Sequence, residues 1–420
     1  MMYSAITTDR VGALYTCKDK AVFTVTITSD GKPVEAGICT VKLTLDGGTL
    51  IAEKKHELAG GNPFKIEAAL DYPGFIRCEV ISVDNFQLQG RAAAGFNVEK
   101  IRQGYPEPPD FEQYWSNLLK RQAAMKNSVS CEALPDNVGK PGYKYYKITV
   151  KTVDDGKIYG FLGIPANNPG PFAALVMIEG AGPGYIAPEQ NFIRPDMMTL
   201  AINVHPIDPT LPQAEYQKRY KEMIAEKPYW LLGAPDRDKY YFRNAIIGIN
   251  AAIDYLANHP QFNKKDLFYL GTSQGGGFGL ILGGLNQKFT AIAAGVPGLC
   301  DFGGIAAGRN SGGLQIVKEF AGRDKKLMKQ CLEMSGYFDA VNFAKRVKCP
   351  IIFTVGFNDM SCCPSSVYAA YNAVKSTKYI MTGPLEGHAL PWERTNGIWQ
   401  WLQNGLDENA RNYRAYYFNC

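Results

Sequence analysis

Residues 266–285, DLFYLGTSQGGGFGLILGGL, decide the fold of this chain. Asp266–Gly271 is predicted to be a short apolar strand, and an apolar, glycine-rich helix is predicted directly after Ser273. Gly271–Gly275 matches G-x-S-x-G, a sharp strand-to-helix turn whose small neighbours let the two elements approach closely. The motif alone is a weak signal, but a strand before it and a helix after it form the context that presents a nucleophile. Ser273 is therefore the candidate nucleophile.

From about residue 145 onward, the chain alternates apolar strands with helices. Phe172–Ile178 is a continuous apolar run, typical of a strand buried on both faces, and Asn244–Leu256 has helical apolar periodicity. Further strands are predicted at 145–151, 157–164, 198–204, 289–296, 350–355 and 379–381. This alternation predicts an α/β protein with a mostly parallel sheet flanked by helices. Together with the turn at Ser273, it favours the α/β-hydrolase fold.

The first 100 residues have a different pattern, in which short alternating strands are separated by turns. Ala21–Thr28 and Ile38–Leu45 are the clearest examples, and together with later strands they predict a small immunoglobulin-like β-sandwich. Gln103–Pro109 is a proline-rich linker that neither element type can continue through. We therefore expect a β-sandwich domain over 1–100 and a catalytic domain over 101–420. Cys39 and Cys78, on two of the strands, could bridge two sheets, although buried free thiols are the default expectation.

Composition narrows the classes of partner. The chain has 420 residues with a net charge of +5 and no long basic run, so a nucleic-acid partner is not expected. No apolar stretch approaches the roughly 18 residues of a membrane span. The start, MMYSAITTDR, lacks the basic and apolar regions of a signal peptide. We expect a secreted or periplasmic protein in mature form, and a cytoplasmic location stays open.

A serine hydroxyl needs a base to take its proton, and the chain has four histidines. His56 lies in the β-domain, His205 precedes the serine, and His259 ends the helix before the strand that leads to Ser273, at the opposite edge of the sheet. His388 follows a late strand and comes last, which fits the chain order Ser, acid, His of this fold. His388 is the candidate base.

The acid that orients this histidine should follow a strand between Ser273 and His388. Asp359 comes just after the strand Ile351–Val355, so it is expected at the same sheet edge as the serine. There it would accept the Nδ1 proton of His388 and stabilise the imidazolium. The rival acids are Asp301, Asp324, Asp339 and Glu386.

An acyl-transfer site also needs backbone N–H donors for the oxyanion. Gln274, the residue after the nucleophile, supplies one. The second donor is expected in the glycine-rich loop after Phe172–Ile178, with Ala181 as the candidate. This loop lacks the Lys-Ser/Thr ending of a phosphate-binding loop, and the chemistry requires neither a metal nor a cofactor.

These motifs together resemble the acetyl xylan esterase / cephalosporin-C deacetylase family, carbohydrate esterase family 7. The resemblance runs from about Pro106 to the C-terminus. It is carried by PDFEQYW (109–115), YYFR (240–243), GTSQGGG (271–277), CDF (300–302), NFA (342–344) and DMSCCPSS…AAYN (359–372). By this resemblance, Ser273, Asp359 and His388 correspond to the family's catalytic triad.

Three positions depart from the family pattern. The family's Arg-Gly-Gln is replaced by His205-Pro206-Ile207, its His-Gly-Tyr by Glu179-Gly180-Ala181, and its Glu after the catalytic histidine by Ala389. We expect a divergent branch with an intact triad and a reshaped pocket. The added N-terminal β-domain leaves the family's ring-shaped hexamer open, although a homo-oligomer of some kind is still an expectation.

The leading hypothesis is a serine esterase that removes acyl groups, in the first place acetyl, from a carbohydrate through an acyl-enzyme. The alternatives are an esterase for feruloyl, methyl or other small carboxylic esters, and a catalytically inactive sugar-binding homologue. A peptidase with a gating propeller does not fit, because several blades of about 40–45 residues exceed the N-terminal stretch.

Overall fold

The protein is described from a computed structural model that covers residues 1–84, 86–184, 196–309, 317, 324–389, 397 and 400–402. The N-terminal strands are β1 (Met2–Thr8), β2 (Leu14–Tyr15), β3 (Ala21–Ser29), β4 (Lys32–Pro33), β5 (Ile38–Leu45), β6 (Leu50–Glu57), β7 (Phe64–Ala68), β8 (Gly74–Val83), β9 (Phe86–Gln87) and β10 (Arg91–Phe96). They form two sheets. One has the order β1-β3-β4 with β7 also paired to β3, and the other has the order β2-β10-β8-β5-β6 with β9 also paired to β8.

The two sheets share one apolar core, so this region is a β-sandwich. Alternate residues of β3, such as Phe23 and Val25, point into it, and Val41 of β5 meets them from the other sheet. The immunoglobulin-like topology and the boundary at residue 100 stay predictions. Cys39 and Cys78 are free thiols on paired strands of a single sheet, so a bridge between two sheets is wrong.

Apart from the two-residue strands β2, β4 and β9, sequence patterning missed two strands of this region, β1 and β6. Both are edge strands, and most residues of β6 are exposed on both faces. A strand that buries neither face has no reason to alternate apolar and polar residues. The signal on which the prediction depends is therefore absent there.

A third sheet, of nine strands, follows in the described part of the chain. Its strands are β11 (Val129–Ala133), β12 (Tyr143–Lys151), β13 (Lys157–Pro165), β14 (Phe172–Ile178), β15 (Met197–Ile202), β16 (Phe262–Thr272), β17 (Ala291–Gly295), β18 (Ile351–Gly356) and β19 (Lys378–Gly383). The principal helices are α1 (Phe111–Ala123), α2 (Gln213–Met223), α3 (Tyr241–Asn258), α4 (Gln274–Leu285), α5 (Lys325–Ser335), α6 (Ala340–Ala344) and α7 (Pro364–Ala373).

The sheet is mixed rather than uniformly parallel. Its strand order is β11-β12-β13-β15-β14-β16-β17-β18-β19. Pairing is antiparallel from β11 through β15 and parallel from β15 through β19. The carboxyl ends of β14, β16, β18 and β19 therefore open at one edge, where ligands bind in sheets of this kind.

Both faces of this sheet are covered. Leu267 and Tyr269 of β16 join the core formed with α1, α3 and α4, whereas Phe268 between them packs in a separate core with Trp401. This agrees with an α/β-hydrolase layering of helices on a mixed sheet. No helix in the described ranges has the length and apolarity to cross a lipid bilayer.

Helix α1 fastens the linker region to the larger core. Its buried face carries Phe111, Tyr114, Trp115 and Leu118. The indole Nε1 of Trp115 donates to the backbone oxygen of Tyr337 (2.8 Å), and its ring packs edge-on against Phe338 and Phe343. This one side chain thus joins α1 to the segment around α6.

We predict that Trp115→Ala lowers the free energy of unfolding by about 3–5 kcal/mol, because it empties a fully packed site and leaves a carbonyl without its donor. Urea unfolding followed by circular dichroism measures this. Gln113→Ala, on the exposed face of the same helix, is the control and should change stability by less than about 0.5 kcal/mol. Equal losses in both variants would contradict the packing role of Trp115.

Candidate active site

Ser273 lies at a sharp turn between β16 and α4. Its backbone has φ 59° and ψ −121°, in the positive-φ region that side-chain-bearing residues rarely adopt. Two loop contacts hold it there: Ser273 N donates to Gly295 O (2.9 Å), and Gly298 N donates to Ser273 O (2.7 Å). The side chain is partly exposed at the sheet edge.

The glycines after Ser273 are required by close packing. A Cβ on Gly275 would come within 2.3 Å of the backbone oxygen of Ile178, and one on Gly277 within 2.2 Å of Gly298 O. Helix α4 therefore rests directly on the backbone of its neighbours. This explains the run of glycine in the sequence motif.

The structure brings the three candidate side chains together. His388 Nδ1 lies 2.8 Å from Asp359 Oδ2, and His388 Nε2 lies 3.1 Å from Ser273 Oγ. Because the carboxylate only accepts, Nδ1 carries the proton and Nε2 is free to accept from the serine hydroxyl. The three residues follow β16, β18 and β19, all at the carboxyl edge of the sheet.

Asp359 is fully buried, and its carboxylate is surrounded by donors. Oδ1 accepts from the backbone N–H groups of Ser361 and Cys362, each at 2.8 Å. The hydrogen bond that His388 donates to Asp359 raises the pKa of His388 above its ordinary value, although partial burial opposes this. The pair therefore favours an imidazolium at His388 once it takes up a proton.

The rival acids have other contacts. Asp339 accepts the backbone N–H groups of Asp301 and Phe302, Asp301 pairs with Arg309, and Asp324 caps α5 through Lys326 N. Glu386 packs against Gly383 in the loop before His388. The carboxylate that accepts from His388 Nδ1 is that of Asp359.

The loop after β14 lies beside the serine. The Cβ position of Gly180 is 3.9 Å from Ser273 Cβ, and Ala181, the candidate donor, follows it on an exposed part of the loop. Gln274 contacts this loop with its side chain, since its Nε2 donates to Gly180 O at 3.4 Å. The buried Tyr229 hydroxyl in turn donates to Gln274 Oε1 (2.6 Å). This brace was not anticipated, because Tyr229 lies in no recognisable motif.

Sequence comparison adds the family. The profile of the acetyl xylan esterase family matches residues 96–404, more than half of the 420 residues. This chain belongs to the acetyl xylan esterase family. It is accordingly a carboxylic ester hydrolase, and the resemblance seen in the motifs is confirmed.

Individual relatives agree with this family. The acetyl esterase Axe7A of Xylanibacter ruminicola is 28% identical over 334 residues, which are 79% of this chain and 74% of that protein. Acetyl xylan esterase 1 from Thermoanaerobacterium sp. JW/SL YS485 has a TM-score of 0.61 at 20% identity, covering 73% of this chain and 97% of its own. The acetyl xylan esterase from Paenibacillus sp. R4 has a TM-score of 0.60 at 21% identity, covering 73% and 98%. These two structures share the fold.

Two departures from the acetyl xylan esterase family pattern form one buried cluster under the loop. His205 Nε2 donates to Gly182 O (2.6 Å), and its Nδ1 accepts from the Tyr241 hydroxyl (2.6 Å). Burial lowers the pKa of His205 to about 4, so the ring is neutral. Glu179 Oε1 accepts from Val204 N (2.6 Å), and burial raises its pKa to about 8. Both side chains brace the loop from below.

In the described residues, Asp359, Cys362 and His388 hold ligand-type atoms within 4.8 Å of one another. Such a group could attract a metal ion. However, His388 Nδ1 is engaged by Asp359, and burial raises the pKa of the Cys362 thiol far above its usual value. A neutral thiol is a weak metal ligand. The group therefore suits proton transfer better than metal binding.

We predict that Gly275→Ala lowers kcat/KM on the order of 100-fold, because the new methyl group displaces the turn that positions Ser273. Ester hydrolysis by the purified variant measures this. Gly12→Ala is the control, since a Cβ there meets no atom within 4 Å. Unchanged kinetics in Gly275→Ala would contradict the role of close packing at this turn.

Proposed function

We propose that this esterase removes acetyl groups from a carbohydrate through a Ser273–His388–Asp359 triad and an acyl-enzyme intermediate. The observation that carries the proposal is the unbroken hydrogen-bonded path from Ser273 Oγ through the imidazole of His388 to Asp359, with steps of 3.1 and 2.8 Å. These distances are within the reach that a nucleophile and its base require.

In the first half-reaction, Ser273 Oγ attacks the ester carbonyl carbon while His388 Nε2 takes the hydroxyl proton. The positive charge on the ring is stabilised by the buried Asp359 carboxylate. His388 then donates the proton to the departing sugar oxygen as the C–O bond of the ester breaks. The acyl group remains on Ser273.

The negative charge on the carbonyl oxygen needs donors in place before the reaction. We assign these to the backbone N–H groups of Gln274 and Ala181. The Gln274 side chain, held by Tyr229, also contacts Gly180 O, which belongs to the same peptide unit as Ala181 N. Gln274 would therefore supply one oxyanion donor from its backbone and, through its side chain, fix the orientation of the peptide unit that carries the other donor, Ala181 N.

Water completes the reaction in the second half. His388 removes a proton from the water as its oxygen attacks the acyl carbon, and Ser273 Oγ leaves with that proton. The products are a carboxylic acid, here acetate, and the regenerated hydroxyl. Neither half-reaction needs a group other than water and the side chains and backbone N–H groups named above.

The sugar ester is inferred from the family and from the open rim of the site. The relatives are named acetyl or acetyl xylan esterases. In the described part of the chain, Thr272, Ala181 and Met360 are exposed near Ser273 and Asp359, which suits a substrate that reaches the nucleophile from solvent. An ester of a bulkier acid, such as ferulate, is the second candidate.

For the N-terminal region, we propose an immunoglobulin-like domain over 1–100 that packs against the catalytic domain over 101–420. Packing is favoured over sugar binding by Phe75, whose ring lies 5.0 Å from that of Phe357 and 5.7 Å from that of Tyr368. Both partners belong to the segment that contains Asp359.

We predict that Ser273→Ala abolishes acetate release from acetylated xylo-oligosaccharides and from p-nitrophenyl acetate, because the attacking oxygen is lost. Ser116→Ala, on the exposed face of α1, is the matched control and keeps full activity. The same assay on feruloyl and methyl esters ranks the acyl groups. Retained activity in Ser273→Ala would contradict the proposed triad. A preference for feruloyl esters would identify a feruloyl ester, rather than an acetyl ester, as the substrate.

We predict that kcat/KM rises with pH through a midpoint above about 6.5, the ordinary pKa of histidine. Only neutral His388 can accept a proton, and the Asp359 hydrogen bond raises the pKa of His388, so activity is lost as pH falls through that raised value. Asp359→Asn should lower kcat/KM by about 10⁴-fold. Asp254→Asn, in a surface ion pair with Lys288, should leave the profile unchanged. An acid limb below pH 6 in the wild type would contradict the assignment.

A further inference from the structure

One arginine of the N-terminal sandwich reaches the loop that carries Asp359. Arg77, in β8, is fully buried, and its Nη2 donates to Asp46 O (3.1 Å) and to Asp359 O (3.3 Å). The second contact joins residues that lie 282 positions apart in the chain. The sandwich thus touches the backbone of the proposed catalytic acid directly.

Asp46 holds the other end of the same loop. It follows β5, is almost fully buried, and its Oδ2 accepts from Ser365 N (2.8 Å) in the first turn of α7. A carboxylate at a helix N-terminus stabilises that end of the helix. The Cys363 thiol also donates to Asp46 O (3.4 Å). The segment from Asp359 to Ser365 is therefore held at both ends by side chains of the sandwich.

We propose that Arg77 and Asp46 are positioning residues for Asp359, so that the N-terminal sandwich completes the active site of the catalytic domain. This inference rests on the proposed role of Asp359 as the acid that orients His388. Both positioning residues lie before residue 96, where the match to the acetyl xylan esterase family begins. The two positioning residues therefore belong to the N-terminal region that precedes the family match.

The chemistry of Arg77 favours this role over simple packing. Its Nε and Nη1 are buried, and the described residues offer them no hydrogen-bond partner. Burying a cation with so few partners is unfavourable, and an apolar side chain of similar size usually serves stability as well or better. What an apolar residue could not do is donate to the backbone oxygen of Asp359.

The geometry explains how this contact reaches the chemistry. The Asp359 carboxylate is fixed by backbone N–H groups of its own loop, Ser361 and Cys362. If the loop moves, these donors move with it, and Oδ2 leaves His388 Nδ1. His388 then loses the contact that raises its pKa.

The test compares Arg77→Met with Val25→Ala, a core variant of the same sandwich whose strand, β3, lies in the other sheet from β8 and Arg77. Both should lower the melting temperature. In Arg77→Met we expect kcat/KM to fall by about 10- to 100-fold, since a displacement of about 1 Å at a catalytic group can cost about 100-fold. We also expect the acid limb of its pH profile to move toward lower pH. Val25→Ala should keep the wild-type limb.

The direction of the pH shift is decisive. Loss of the Arg77 cation cannot by itself lower the pKa of His388, because removing a positive charge does not disfavour the imidazolium. A downward shift therefore identifies displacement of Asp359. Among the described residues, the Cys362 thiol also lies beside His388 and Asp359, and its raised pKa keeps it neutral over this range.

A spectroscopic readout makes the test independent of rate. The far-downfield proton resonance of the His388 Nδ1–H reports its hydrogen bond to Asp359, and it should weaken or vanish in Arg77→Met but persist in Val25→Ala. Arg77→Lys keeps a cation and a donor and should recover part of the activity. If Arg77→Met does not fold, Asp46→Ala, which frees the α7 end of the loop, is examined for the same loss of resonance.

The outcomes separate this inference from the proposed function. If Ser273→Ala is inactive while Arg77→Met keeps the wild-type limb and resonance, the positioning role is wrong and the triad stands. If Ser273→Ala retains activity, the proposed function itself is wrong. A resonance lost equally in Val25→Ala would mean that general destabilisation, rather than Arg77, governs the loop.

Discussion

The backbone of Ser273 is the constraint on which the site depends. Its φ of 59° is a conformation that costs a residue with a side chain about 1–3 kcal/mol, and the surrounding structure must impose it. Contacts with Gly295 and Gly298, and the close approach of α4 to the backbone at Ile178, supply that imposition. Because the hydroxyl is raised above the sheet edge at this turn, loops from two other strands can meet it.

Charge is distributed unevenly among the buried acids around this edge. Asp359 faces His388 and two backbone donors, whereas burial raises the pKa of Glu179 to about 8 and that of Asp339 to about 7. A largely neutral Glu179 at neutral pH matters, since an anion under the loop beside Ser273 would oppose the developing negative charge of the ester oxygen. The carboxyl group of Glu179 can thus lie in this loop without opposing the proposed chemistry.

The sequence was informative wherever a residue's role shows in local pattern. The turn at Ser273, the chain order of the candidate triad and the strands buried on both faces leave periodic or motif signals. Edge strands such as β6 leave none, because they bury neither face. Tyr229 and Arg77 were missed for another reason: each acts through one contact with a distant segment, and neither has a spacing to read. In the sequence alone, a buried arginine of a β-sandwich cannot be distinguished from an exposed one.

In the antiparallel part of the large sheet, residues that contact one another lie close together along the chain. At the proposed active site, the contacting residues lie far apart along the chain. β12 and β13 pair across a short turn, but Ser273 and His388 are 115 residues apart, and Arg77 is 282 residues from Asp359. Contacts between distant segments carry the largest loop-closure entropy and form late in folding. The proposed triad can therefore assemble only after most of the chain has been synthesised and closed. A newly made polypeptide that has not yet reached residue 388 would lack the proposed base.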